Sequence, residues 1–224
     1  FLIAKFPDHI LWNNIWVRYD FIDWWSNILC EEKMSLNPTK GNMYSWVSHT
    51  YNPIKGECSH DCVYCYMKIF PQKPIRLDEK ELNENLGEGN IIFVGSSTDM
   101  WAADVPDEWI RKVLDKCRNY EGNTYVFQTK NPSRYWKFSN EYPRNTIFGI
   151  TLETNRETLD ISKATSPKAR ASNMKEWFMK RKFVTIEPIL EFDLDLFVEM
   201  IKWVNPEWVN VGADSKNHNL PEPS

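Results

Sequence analysis

The segment CSHDCVYC places Cys58, Cys62 and Cys65 in a CxxxCxxC loop, with an aromatic residue, Tyr64, directly before the third cysteine. Thiolates this close in sequence can hold three corners of a cubane. A [4Fe-4S] cluster ordinarily takes four cysteines, so three local ligands leave one iron open to bind and activate another molecule. A structural zinc site would want a fourth Cys or His at short range. The nearest candidates are His60 inside the loop and His49 upstream, and neither forms a paired knuckle. Outside the loop only Cys30 and Cys117 remain, so a disulfide framework would leave one cysteine unpaired and would suit a smaller secreted domain. The cluster is the favoured reading; zinc and unliganded thiols are the alternatives.

The whole chain is compatible with an enzyme carrying such a loop. Its 224 residues are enough for one sizeable domain with a real core. A net charge of −4 advertises no global basic field, which leaves a local patch as the only electrostatic route to nucleic acid. No apolar run approaches membrane-spanning length, and no secretory leader pattern opens the chain. A cytoplasmic location is expected, where reducing conditions suit free thiolates.

The elements that must position the loop alternate between strand-like and helix-like segments. Strands are expected at 43–48, 90–95, 124–129, 146–151, 182–187 and 207–212, all rich in β-branched and aromatic residues. Helices are expected at 107–120, 132–140, 166–181 and 194–204. This order predicts a parallel α/β fold, either an open six-stranded (β/α) barrel or a doubly wound sheet.

The cysteine spacing and the aromatic before the last cysteine resemble the radical S-adenosylmethionine (radical SAM) superfamily. The resemblance implies a partial, TIM-like (β/α)6 barrel, with the open iron chelating SAM through its amino and carboxylate groups. Reductive cleavage of SAM then starts radical chemistry on a substrate. From about Met34 onward, the stretches SHTYNPIKGECSHDCVYCYM, VGSSTDMWAADVP, FQTKNP, GITLETN, TIEPIL and WVNVGADS resemble a phage- and bacteria-associated radical SAM family of unassigned reaction, a domain of unknown function. QTKNP and the strand ending in Thr151 also resemble the SAM-binding stretches of spore photoproduct lyase. The lyase's additional cysteine has no evident counterpart.

In barrels of this kind chemistry sits at the C-terminal strand ends. Carried onto those ends, the resemblance implies Cys58, Cys62 and Cys65 as cluster ligands and Tyr64 against the adenine. Ser97, Asp99, Lys130 and Thr151 then line SAM, with Asp99 toward its ammonium and Lys130 toward its carboxylate. Glu153 and Glu187 are the catalytic candidates, toward ribose or substrate. Any soluble strand can end in a polar turn, so the carboxylate of Glu187 at the end of an apolar strand is the stronger signal. A flavodoxin or ferredoxin would supply electrons.

Two other functions compete. A nucleic-acid lesion lyase or base modifier would need a basic or aromatic groove beside the mouth, with Trp101, Lys130, Arg134 and Arg156 as members. A non-catalytic iron–sulfur or zinc module would need only the cysteines. Residues 1–33, with Trp12, Trp16, Trp24 and Trp25 but no caps or period, read as a doubtful N-terminal extension ahead of a core domain at 34–224. The final GADSKNHNLPEPS reads as a possible C-terminal truncation.

Overall fold

A computed structural model describes residues 36–39, 43–71, 73–157, 161–178, 181–214, 216 and 218–223. The N-terminal extension, Cys30 and the four N-terminal tryptophans lie outside the described residues.

The fold is mixed α/β around one large, mostly parallel sheet. In chain order the strands are β1 (Asn37–Pro38), β2 (His49–Tyr51), β3 (Ile54–Lys55), β4 (Arg76–Leu77), β5 (Ile91–Val94), β6 (Thr124–Thr129), β7 (Thr146–Thr151), β8 (Lys182–Ile186) and β9 (Trp208–Val211). The large sheet runs β1-β2-β5-β6-β7-β8-β9, while β3 and β4 form a separate antiparallel pair. Pairing of β1 with β2 is antiparallel, and every later neighbour in the large sheet is parallel. Strand order therefore follows chain order across the parallel part, with no reversal point of the kind a doubly wound sheet requires.

Alternation along the strands sends side chains to two different environments. Ile92, Val94, Tyr125, Phe127, Phe148, Ile150, Val184 and Ile186 join the main core. Helices α2 (Asp107–Arg118), α3 (Pro167–Glu176) and α4 (Leu194–Val204) contribute Ile110, Val113, Leu114, Met174, Phe197 and Met200 to that same core. A short helix, α1 (Glu79–Leu82), precedes them, started by the Asp78 side chain accepting from the Glu81 amide. Ser166 caps α3 in the same way, with Pro167 in its first turn.

The opposite face carries Phe93, Val126, Ile147 and Phe183, packed with Val47 and with Tyr44, Trp46 and Trp208. Phe183 stacks on Trp208 at 5.4 Å, and Trp46 meets Trp208 edge-on at 5.2 Å. Gly149 makes room for this packing, because a Cβ there would lie 2.2 Å from the Phe183 ring.

Expected strands at 124–129 and 146–151 are observed with those bounds, and those at 90–95, 182–187 and 207–212 shorten by a residue or two. Residues 43–48 are not a strand. The sheet begins at His49, and Tyr44 and Trp46 instead leave extended pairing to cover the aromatic face. The segment expected as a helix at 132–140 is a 3-10 helix, Pro132–Phe138, and the helix expected at 166–181 ends at Glu176. No described helix is long and apolar enough to cross a membrane.

Candidate active site

The cysteine loop follows β3 and runs into a 3-10 turn, Tyr66–Ile69. Its path is fixed by hydrogen bonds to the segment beyond β7. The Val63 amide donates to the Ile161 carbonyl at 2.9 Å, and the Lys163 amide donates to the His60 carbonyl at 2.7 Å. Ser162 Oγ donates to the same carbonyl at 3.1 Å and lies 3.3 Å from Cys62 Sγ. Asp61, held at φ +46°, pairs with Lys68 at 2.6 Å and Lys163 at 2.9 Å.

This loop opens onto a cavity of about 830 Å³ at the C-terminal strand ends. Cys58, Cys62, Cys65 and Tyr64 line it together with Ser97, Asp99, Lys130, Thr151 and Glu187. Nine of the ten residues singled out from the sequence thus share one space. Glu153 is the exception: it is 0% exposed and lies behind the wall, paired with Arg170 at 2.7 Å.

Asp99 ties three elements together. Its Oδ2 lies 2.8 Å from His60 Nε2 and accepts from Thr129 Oγ1 at 2.8 Å and the Lys130 amide at 2.9 Å. Its Oδ1 accepts from the Trp101 amide at 2.9 Å. Burial raises the cost of its charge, but the hydrogen bond and charge of His60, with the Lys130 amide and Thr129, hold its carboxyl below the usual range. With both oxygens occupied, Asp99 orders the wall. Gly95 begins the turn that delivers it, at φ +81°, a conformation costly for any residue with a Cβ.

Other polar groups line the same space. Ser97 Oγ is buried with no hydrogen-bond partner among the described residues, although its backbone amide donates to Asn52 Oδ1. Gln128 donates to Thr151 Oγ1 at 3.0 Å and accepts from the Tyr44 hydroxyl at 2.9 Å. Tyr44 also meets Thr185 Oγ1 at 2.7 Å. Lys130 Nζ lies 5.4 Å from the centre of the Tyr64 ring. Glu187, joined to Pro188 by a cis peptide, makes no hydrogen bond or ion pair among the described residues. Burial pushes its carboxyl up, and the charge of Lys130 partly opposes this.

The donor chemistry fits a cluster held at three corners. Burial and the charge of Asp99 push the Cys58 thiol up to about 12. Among the described residues no three His, Cys, Asp or Glu side chains converge as a single metal ion demands.

Of the residues expected for a basic or aromatic groove, Trp101, Lys130, Arg134 and Arg156, only Lys130 lines the cavity. Trp101 is 0% exposed inside an aromatic core, because Phe127, Tyr135 and Phe138 pack edge-on around its ring. Arg134 is tied to the Val105 carbonyl and Asp107, and Arg156 to Glu191 and Asp193. The sequence reading also missed Arg170, His60 as partner of Asp99, and the Asp214–His218 pair, whose Oδ1 and Nδ1 are 2.6 Å apart at the cavity edge. For Arg170 a signal existed. Pro167, Arg170, Ala171 and Met174 follow the buried spacing of α3, so a charge falls on its apolar stripe.

Residues 42–222 match the family described as "Protein of unknown function (DUF5131)". The chain belongs to this family. No curated protein matches the sequence. Among solved structures, this DUF5131 chain is similar to a spore photoproduct lyase mutant with bound AdoMet and dinucleoside spore photoproduct, with a TM-score of 0.56 and 16% identity. That match covers 78% of this chain and 56% of the lyase. Another mutant of the lyase aligns with a TM-score of 0.58 and 15% identity over 77% of this chain and 55% of that one. The DUF5131 chain thus spans little more than half of the lyase's length, and likeness at this identity establishes the fold.

Proposed function

We propose that this chain is a radical SAM enzyme of the cytoplasm whose sheet curves into a partial (β/α)6 barrel. One observation carries the reading: the three cysteines of a single loop open onto the cavity at the C-terminal strand ends, and Lys130 stands in its wall. Cys58, Cys62 and Cys65 would hold a [4Fe-4S] cluster, which, once reduced by a flavodoxin or ferredoxin, supplies the electron that cleaves SAM. Tyr64 offers a ring face and backbone to the adenine. Lys130 faces the SAM carboxylate as a point charge, while Ser97 Oγ, buried without a partner among the described residues, and Thr151 offer hydrogen bonds. Asp99 keeps the cysteine loop and the β6 end in register. Glu187, open to the cavity and unpaired among the described residues, faces the substrate.

A nucleic-acid lesion is a second reading of the substrate. Tyr66 and Phe70, exposed on the cavity rim, offer the stacking surface that bases use, and the similar lyase structure holds a dinucleoside photoproduct. Anaerobic reconstitution tests the enzyme reading. The protein should take up about four irons and four sulfides per chain; stoichiometric zinc without an iron chromophore would refute it.

A further inference from the structure

Behind the cavity wall lies a charge network drawn from four separate elements: α3, the segment beyond β7, the cysteine loop and the end of β6. Arg170, on α3, is 2% exposed, and Glu153, beyond β7, is 0% exposed. Arg170 Nη1 donates to Glu153 Oε2 at 2.7 Å and to the Thr151 carbonyl at 2.8 Å, while its Nε donates to the Thr165 carbonyl at 2.6 Å. The other Glu153 oxygen accepts the hydroxyl of Tyr64, the residue between Cys62 and Cys65. Lys130 Nζ lies 3.9 Å from that same oxygen. Thr165 Oγ1 closes the circuit by donating to the Lys130 carbonyl at 3.0 Å.

An isolated carboxylate this deep would be costly, and it persists here because it is paired and hydrogen-bonded. Burial works against its charge, but Arg170, Lys130 and the Tyr64 hydroxyl together hold the Glu153 carboxyl below the usual range. Since a carboxylate can only accept, the Tyr64 hydroxyl is the donor to it. Arg170 and Glu153 cancel as a pair. The charge of Lys130, whose side chain is 18% exposed, is then left over at the cavity wall.

We infer that Arg170 and Glu153 are positioning residues: Arg170 fixes Glu153, and Glu153 clamps both the cysteine loop, through Tyr64, and the Lys130 ammonium. One buried carboxylate would thereby set the distance between the cluster side of the site and the cation meant for the SAM carboxylate. Lys130 placement toward SAM rests on the radical SAM reading; the clamp on the loop does not.

The test is Tyr64→Phe, which removes one hydroxyl and keeps the ring. In cluster-free protein, this variant should speed amide exchange across residues 58–66 by about tenfold, the scale of a lost hydrogen bond to a charged group, while residues 124–129 stay unchanged. In iron-loaded protein it should keep its iron and lose about tenfold in SAM affinity by the same reasoning. Adding Lys130→Ala to it should then weaken binding less than Lys130→Ala does in the wild type, because both act through Glu153. Arg170→Lys, which keeps the charge but not the fork, should retain more SAM affinity than Arg170→Met. Unchanged exchange over 58–66 in Tyr64→Phe overturns the clamp, whatever the cluster does. Lower iron content with normal SAM affinity in the loaded fraction marks a merely structural tie and overturns the positioning role. A wild type that loads iron but binds no SAM refutes the functional reading and the Lys130 part of this inference, while the exchange result still decides the clamp.

Discussion

On the β5–β7 side of the cavity, charges are held by partners from distant parts of the chain: Asp99 by His60 and the Lys130 amide, Glu153 by Arg170, Tyr64 and Lys130. Across the cavity, at the ends of β8 and β9, Glu187 has no hydrogen bond or ion pair among the described residues. Asp214 and His218 pair with each other inside one turn. The first side is preorganised, with the rotamer of each group locked by another element, which suits a cofactor that must sit in one place. The second side leaves the Glu187 carboxyl without such a lock among the described residues, which suits a substrate that arrives and leaves.

The comparison breaks most visibly at the cysteines. Replacing Cys58, Cys62 or Cys65 with Ala should abolish iron uptake, whereas Cys117→Ala, at a buried thiol in the core, and Cys30→Ala should leave it intact; iron and sulfide analysis decides. Next in size is Asp99→Ala. Removing a buried carboxylate that accepts hydrogen bonds from three elements should cost about 3–5 kcal/mol in denaturant melts at pH 7. The pH dependence has a definite sign. Because the folded carboxyl is held below its unfolded value of about 3.9, its stabilisation is present above roughly pH 4 and is lost as pH falls through the folded value. Asp99→Asn should therefore flatten the stability loss between neutral and acid pH.

Lys130→Ala should weaken SAM binding by about 1.5–3 kcal/mol, or roughly 10- to 150-fold, with the cluster spectrum unchanged. Lys130→Arg should restore it only partly, since a planar fork replaces a compact charge. On the open side Glu187→Gln should change stability by no more than about 0.5 kcal/mol. Its raised carboxyl pKa means the charge opposes folding above the unfolded value, so any shift at pH 7 should be toward greater stability. Iron content and SAM affinity should not move. Equal losses from Asp99→Ala and Glu187→Gln would erase the distinction between the two sides.

What the sequence revealed follows the range of the interactions involved. The cysteine loop was legible because its ligands are neighbours in the chain, and the strands at 124–129 and 146–151 because unbroken apolar runs need no partner to be recognised. Tyr44 and Trp46 misled because they have strand-forming chemistry. What removes them from a strand is packing on Phe183 and Trp208, which lie far along the chain. Glu153 looked like a ligand for ribose or substrate until Arg170, supplied by a later helix, turned up as its buried partner. Trp101 looked like a stacking surface, and only the surrounding rings show that it is core. Open residues such as Glu187 were legible from strand position, but their lack of partners was not.

The most direct measurement of the central claim is an assay for 5′-deoxyadenosine from anaerobically reconstituted, chemically reduced protein incubated with SAM. The account predicts that wild type and Cys117→Ala release 5′-deoxyadenosine and methionine, and that Cys58→Ala, Cys62→Ala and Cys65→Ala release neither. An iron-replete wild type that leaves SAM intact, or a cysteine variant that cleaves it as well as wild type, would contradict the assignment of this loop and cavity to radical SAM chemistry.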